Sequence, residues 1–219
     1  MRHFFYKSVY EVTNPDMDYS DARIYMIEKI TNNLICEMMD LNIISSEDKD
    51  GYAYRITILL ESLLTLSVLL IIAVITHRFA IMVAVIVAFA ALRMNTGGFH
   101  FNSYLMCLVG SCVMFSAITM LVTYLPINGF LIFGAVVSAG MILYMGHINH
   151  PNMNLDAPGV IQKKKSARIV VLVEMCVMIL LFTIRSLALF GTCIAMAVEF
   201  DFLLMAVAKL LKQEVQEND

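Results

Sequence analysis

Residues 79–107 read FAIMVAVIVAFAALRMNTGGFHFNSYLMC. The run from Phe79 to Leu92 is apolar without interruption, and the fifteen residues from Arg93 to Cys107 then bring a cation, two glycines, a histidine and a cysteine before the next apolar run. A helix needs about 20 apolar residues to cross a hydrocarbon core. The first run therefore reaches the interface only by including part of RMNTGGF, which puts Arg93 at the membrane boundary.

The rest of the chain supports lipid as the solvent. Hydrophobic residues are 60% of the composition and charged residues 15%, against roughly 45–50% and 25% in soluble domains. The mean hydropathy is +0.78. From Ile56 onward, apolar segments at about 56–76, 79–99, 103–125, 127–145, 169–184 and 186–208 follow one another. Together they predict an all-α integral membrane protein of about six transmembrane helices, each judged against the length that spans a bilayer. The opening residues, MRHFFYKSVYEVTNPDMDYSD, contain no apolar stretch of the roughly 7–15 residues that a cleavable signal needs, so the first apolar run is expected to remain in the mature protein. Residues 1–55 form a mixed-charge segment. Its Ile24, Ile27, Leu34, Ile35, Met38 and Leu41 recur at spacings near three and four, predicting an amphipathic helix over about 21–42 with Ser20 as its N-cap. Such a helix fits a membrane surface, a dimer contact or its own chain equally well. Residues 56–208 form the membrane domain and 209–219 a tail.

Loops rich in lysine and arginine stay cytoplasmic. With the N-terminus inside, only Arg78 and Arg185 face out; Arg2, Lys7, Arg23, Lys29, Lys49, Arg55, Arg93, Lys163, Lys164, Lys165, Arg168, Lys209 and Lys212 face in. Both termini are thus expected in the cytoplasm. The segments Arg93–Asn102 and Gly146–Arg168 become cytoplasmic loops, so chemistry in polar loops faces that side.

Several classes of function lack support. Five cysteines, none with CxxC spacing, give neither a disulfide framework nor a zinc ribbon. There is no phosphate-binding glycine motif and no basic stripe interleaved with aromatics, so neither nucleotides nor nucleic acids are expected as ligands. No cofactor is implied. The chemistry-bearing candidate is RMNTGGFHFNSYLMC, because polar residues at membrane depth cost free energy and mark function by default. A thiol nucleophile needs an imidazole that takes its proton and later returns it to a leaving group, and Cys107 with His100 supplies the two types. On one unbroken helix they would differ in height by about 10.5 Å, too far to hydrogen-bond. Gly97 and Gly98 permit the chain to leave the helix and fold back, giving a re-entrant or broken catalytic segment beside a covered or wet cavity.

These residues resemble the AgrB family, accessory gene regulator B, whose members share the spacing R-x4-G-x-H-x6-C. Arg93, Gly98, His100 and Cys107 match all four positions. The likeness extends to a chain of about this length with several spans, and to a proline-containing segment followed by lysines, HINHPNMNLDAPGVIQKKK, with Pro158 and Lys163–Lys165. The resemblance implies a membrane cysteine endopeptidase of the bacterial cell membrane, with His100 and Cys107 catalytic and an AgrD-like propeptide as substrate. Cleavage between the propeptide's central segment and acidic tail would pass through an acyl-enzyme to a thiolactone. Arg93 is then a candidate to hold a substrate carboxylate or act on Cys107 through its charge. Gly98 and neighbouring amides, with Gly97, are candidates to support the site or an oxyanion hole. Lys163, Lys164 and Lys165 are candidates for acidic-tail contact, although basic clusters at cytoplasmic ends are also routine topology signals.

Four acids lie in the predicted spans: Glu61, Glu174, Glu199 and Asp201. Glu61 and Glu174 fall near the cytoplasmic ends of theirs, as polar support for the imidazole or the arginine, or as structural partners. A homodimer with two-fold symmetry is the expected assembly. The alternative reading is a small transporter or metal-dependent membrane protein using His147, His150 and Asp156, but two histidines and one distant acid are a weak ligand set, and no internal repeat is evident.

Labelling of engineered single cysteines tests the topology. Asn154→Cys should resist a membrane-impermeant maleimide added outside the cell and react after permeabilisation, whereas Ser186→Cys should react from outside; strong external labelling of Asn154→Cys would overturn it.

Overall fold

The computed structural model describes residues 19–41, 43–45, 48–99, 104–124, 129–149 and 157–212. These residues form seven helices: α1 (Tyr19–Asp40), α2 (Lys49–Ile75), α3 (Phe79–Thr96), α4 (Tyr104–Tyr124), α5 (Gly129–Met145), α6 (Ala157–Thr183) and α7 (Ala188–Leu210). Among them no strand occurs, only an isolated parallel bridge between Gly97 and Ile148. The protein is an all-α membrane protein. Five helices are long and apolar enough to span a bilayer, namely α2 from Gly51, α3, α4, α6 and α7. The sixth predicted span, α5, is apolar and 17 residues long, at the lower edge of the range that crosses hydrocarbon.

The chain divides into two compact units, Met1–Leu64 and Thr65–Asp219. In the first, α1 closely follows the predicted amphipathic helix. Thr31 and Ile35 are buried while Ile30 and Leu34 are exposed. The Thr31 and Thr57 hydroxyl oxygens lie 3.3 Å apart, joining α1 to the start of α2.

In the second unit α7 is the central helix, in contact with α3, α4, α5 and α6. Its sequence explains why. Gly191, Ala195, Ala197 and Ala208 are buried small residues, and small residues let helices in lipid approach closely. The ring of Phe182 on α6 sits directly against Gly191. One apolar cluster gathers Met82, Val85, Phe89, Phe115, Ile118 and Met196, with the Phe89 and Phe115 rings edge to face at 5.2 Å between centroids. A second gathers Leu92, Ile142, Ile148, Val171, Val198 and Met205.

The second cluster packs where the C-terminal ends of α3 and α5, the middle of α6 and the C-terminal half of α7 meet. Arg168 Nε donates to Leu143 O at 3.1 Å, tying the start of α6 to the end of α5. That contact corrects a boundary. The segment 146–168 is expected to be a loop, yet α6 begins at Ala157, so Lys163, Lys164, Lys165 and Arg168 are helical. Pro158 lies in the first turn, where its missing N–H would have had no partner.

The end of α3 is set by glycine chemistry. The predicted span runs to Phe99, but the helix stops at Thr96, and Gly97 and Gly98 have φ of 68° and 115°, values that side-chain-bearing residues rarely adopt. A Cβ on Gly97 would collide with the carbonyl of Ile148 and lie 3.2 Å from His147 Cε1. A Cβ on Gly98 would collide with Arg93 Nη1. Eighteen helical residues rise about 27 Å, just short of a hydrocarbon core of about 30 Å, so the turn after Thr96 lies near the membrane boundary.

Gly97→Ala should cost at least about 1–2 kcal/mol from the left-handed backbone alone, plus displacement of Ile148. Gly140→Ala, on α5 with nothing near its added methyl, should be close to neutral. Thermal loss of monodisperse protein in detergent reads both; equal stability of the two variants would contradict the packing described.

Candidate functional site

A helix ends with carbonyls that have no partner within the helix, and at membrane depth no bulk water satisfies them, at a cost of several kcal/mol each. The C-terminus of α3 answers this with donors from elsewhere in the chain. Gly97 N donates back to Arg93 O at 3.2 Å. Lys163 Nζ, from the second turn of α6, donates to Met94 O at 2.8 Å. His147 Nδ1 lies 2.7 Å from Asn95 O, and because a carbonyl only accepts, that nitrogen carries the proton. Ile148 N donates to Thr96 O at 2.8 Å.

Beyond Thr96, the guanidinium of Arg93 folds over the turn. Nη1 donates to Gly97 O and Nη2 to Phe99 O. Phe99 N donates to Leu204 O at 3.3 Å, docking the turn on α7. Asp201, fully buried three residues before Leu204 on that helix, accepts from Thr96 Oγ1 at 3.2 Å. Glu174 on α6 is buried. Among the described residues, Glu174 Oε2 and Asp201 Oδ2 have no hydrogen-bond partner.

Of the predicted site residues, the structure brings together Arg93, Gly97 and Gly98. Cys107 is partly buried in the first turn of α4, where the positive end of the helix dipole favours negative charge. His100 lies outside the described residues and follows Phe99 directly in the chain. Glu61 is partly buried on α2 in the first unit. The three lysines separate: Lys163 serves Met94 O, Lys164 lays its alkyl stem over Gly146, and Lys165 is exposed. Among the other cysteines, Cys193 is buried in the first apolar cluster, Cys36 and Cys176 are exposed, and Cys112 is partly buried farther along α4.

Asp201, Thr96 and His147 are the members of this network that the sequence does not single out for it. Asp201 carries the one available signal, an acid inside the most enclosed span. His147, considered as a metal ligand, instead closes the end of α3. His150 and Asp156 lie outside the described residues, and the described ones contain no group of three or more His, Cys, Asp or Glu side chains suited to hold a metal ion.

Comparison with curated proteins and with solved structures finds no match. The family model of accessory gene regulator B matches residues 27–205. That span runs from within α1 to Met205 and takes in the whole capped end of α3, Cys107, Lys163–Lys165, Glu174 and Asp201. The resemblance carried by Arg93, Gly98, His100 and Cys107 is therefore a family relationship, and the chain belongs to the AgrB family of quorum-sensing accessory gene regulator membrane proteins.

Proposed function

We propose that this protein is a membrane-embedded cysteine endopeptidase that cuts an AgrD-like propeptide between its central, cysteine-bearing segment and its acidic tail. The observation that carries the reading is the motif Arg93, Gly98, His100 and Cys107 within the matched family span, with Cys107 partly buried in the first turn of α4 and the Arg93 guanidinium holding the turn that precedes His100 in the chain. Family membership supports it further.

In this mechanism His100 takes the proton from Cys107 Sγ, and the sulfur attacks the carbonyl carbon joining the central segment to the tail. The carbon–nitrogen bond breaks as the imidazolium returns its proton to the leaving amine. The tail departs, and the rest of the substrate is held as a thioester on Cys107. The substrate's own thiol, losing its proton to His100, then attacks that thioester and frees Cys107 as the ring closes. Thiol–thioester exchange conserves the acyl bond energy, whereas water would discharge it, so a shallow site that restricts solvent favours the cyclic product.

Arg93 has both terminal nitrogens on backbone carbonyls, which favours a role in shaping the site over one in gripping a substrate carboxylate. Lys165, the exposed member of its cluster, is the lysine best placed to meet an acidic tail. We place the site and both termini on the cytoplasmic side of a bacterial cell membrane, a reading supported by the lysine and arginine distribution. A two-fold homodimer is the assembly we assign.

Cys107→Ser and His100→Ala should each reduce propeptide cleavage at least 1000-fold while leaving membrane insertion intact. Cys36→Ser, Cys112→Ala, Cys176→Ala and Cys193→Ala should each retain substantial cleavage. A thiol-alkylating reagent should abolish activity. A metal-dependent enzyme would instead lose activity to chelators and to His147→Ala combined with His150→Ala. Normal cleavage by well-inserted Cys107→Ser protein would sink the peptidase reading.

A further inference from the structure

We infer that Asp201 is a positioning residue of this reaction: acting through Thr96, its carboxylate holds the end of α3 and with it the Gly97–Phe99 turn that precedes His100 in the chain, an inference that rests on the peptidase reading above. The starting point is cost. Asp201 is wholly buried in a helix long and apolar enough to span a bilayer, and a carboxylate is tolerated there only with partners that compensate it. Thr96 Oγ1 donates to Asp201 Oδ1 at 3.2 Å. This contact fixes the carboxylate against the last residue of α3.

What the contact holds is backbone. Arg93 donates to the carbonyls of Gly97 and Phe99, tying the turn to α3. Phe99 N reaches Leu204 O at 3.3 Å, three residues after Asp201 on the same helix. Helix α7 thus grips both sides of the turn, at Phe99 through Leu204 and at Thr96 through Asp201. Gly98 lacks a side chain where Arg93 Nη1 must pass. Loss of the Asp201 charge weakens the charge-assisted bond from Thr96 at the end of α3 and loosens the turn that follows it, even where the shape of the side chain is kept.

Asp201→Asn is the informative change, since the amide oxygen still accepts from Thr96 and only the charge is lost. Two readouts on the full-length protein in proteoliposomes separate this inference from the reading beneath it. The first needs no catalysis. With the five native cysteines replaced by Ser or Ala, Phe99→Cys and Leu204→Cys should form a disulfide readily under mild oxidation. The rate should fall at least fivefold on adding Asp201→Asn, with no more than a twofold further fall when Thr96→Val is also present. The second follows cleavage of a synthetic peptide bearing one cysteine upstream of an acidic tail. Asp201→Asn should lower kcat at least tenfold with KM within twofold, because the turn positions catalytic groups and not substrate. Should Asp201→Asn fail to accumulate, Thr96→Val, which removes the hydroxyl donor, should show the same pattern of losses. A disulfide rate within twofold of the parent in Asp201→Asn, or in Thr96→Val if it must stand in, overturns the inference. Wild-type kcat in the same variant also overturns it. If the peptidase reading itself fails, the disulfide readout still decides whether Asp201 holds the turn.

Discussion

Every other feature of the site depends on how α3 stops. A helix that ends near the membrane boundary presents carbonyls that lipid does not solvate, and the chain leaves that helix only where protein supplies the missing donors. Here the donors come from three places: Lys163 on α6, the His147–Ile148 pair after α5, and Arg93 reaching forward from α3 itself. A turn at membrane depth, otherwise too costly, becomes a fixed part of the fold. Gly97 and Gly98 are needed because the donors approach too closely to leave room for a Cβ.

This arrangement places residues of different apparent purpose in one structure. A lysine in a basic cluster, a histidine that resembles a ligand and an arginine that resembles a substrate clamp all cap backbone. The small residues of α7 let α3, α5 and α6 converge on it closely enough for Thr96, at the end of α3, to donate to the buried Asp201.

Much of this was legible from residue order. The apolar runs located the spans, the interruption at Arg93–Phe99 located the break, and R-x4-G-x-H-x6-C identified the family. Helix α6 was harder: its first three turns carry Lys163, Lys164, Lys165 and Arg168, whose polarity resembles a loop, although Pro158 at the start was a helix signal available to be read. Asp201 could be noticed as an acid in a span, but its partner Thr96 lies 105 positions earlier in the chain, and periodicity carries no information about which helices pack together. The cap made by His147 was illegible for the same reason. Its hydrogen bond to Asn95 exists only once α3 and α5 end side by side.

The central claim is that the capped turn of α3 and the first turn of α4 form a thiol peptidase site with Cys107 as nucleophile. Its most direct test is the covalent intermediate. Protein in proteoliposomes is mixed with a synthetic propeptide whose own cysteine is replaced by serine to slow ring closure, quenched in acid and digested for mass spectrometry. The account predicts that the peptide containing Cys107 carries the substrate without its acidic tail, joined by a bond that hydroxylamine cleaves. Release of the tail with Cys107 unmodified and the adduct on another residue would contradict it.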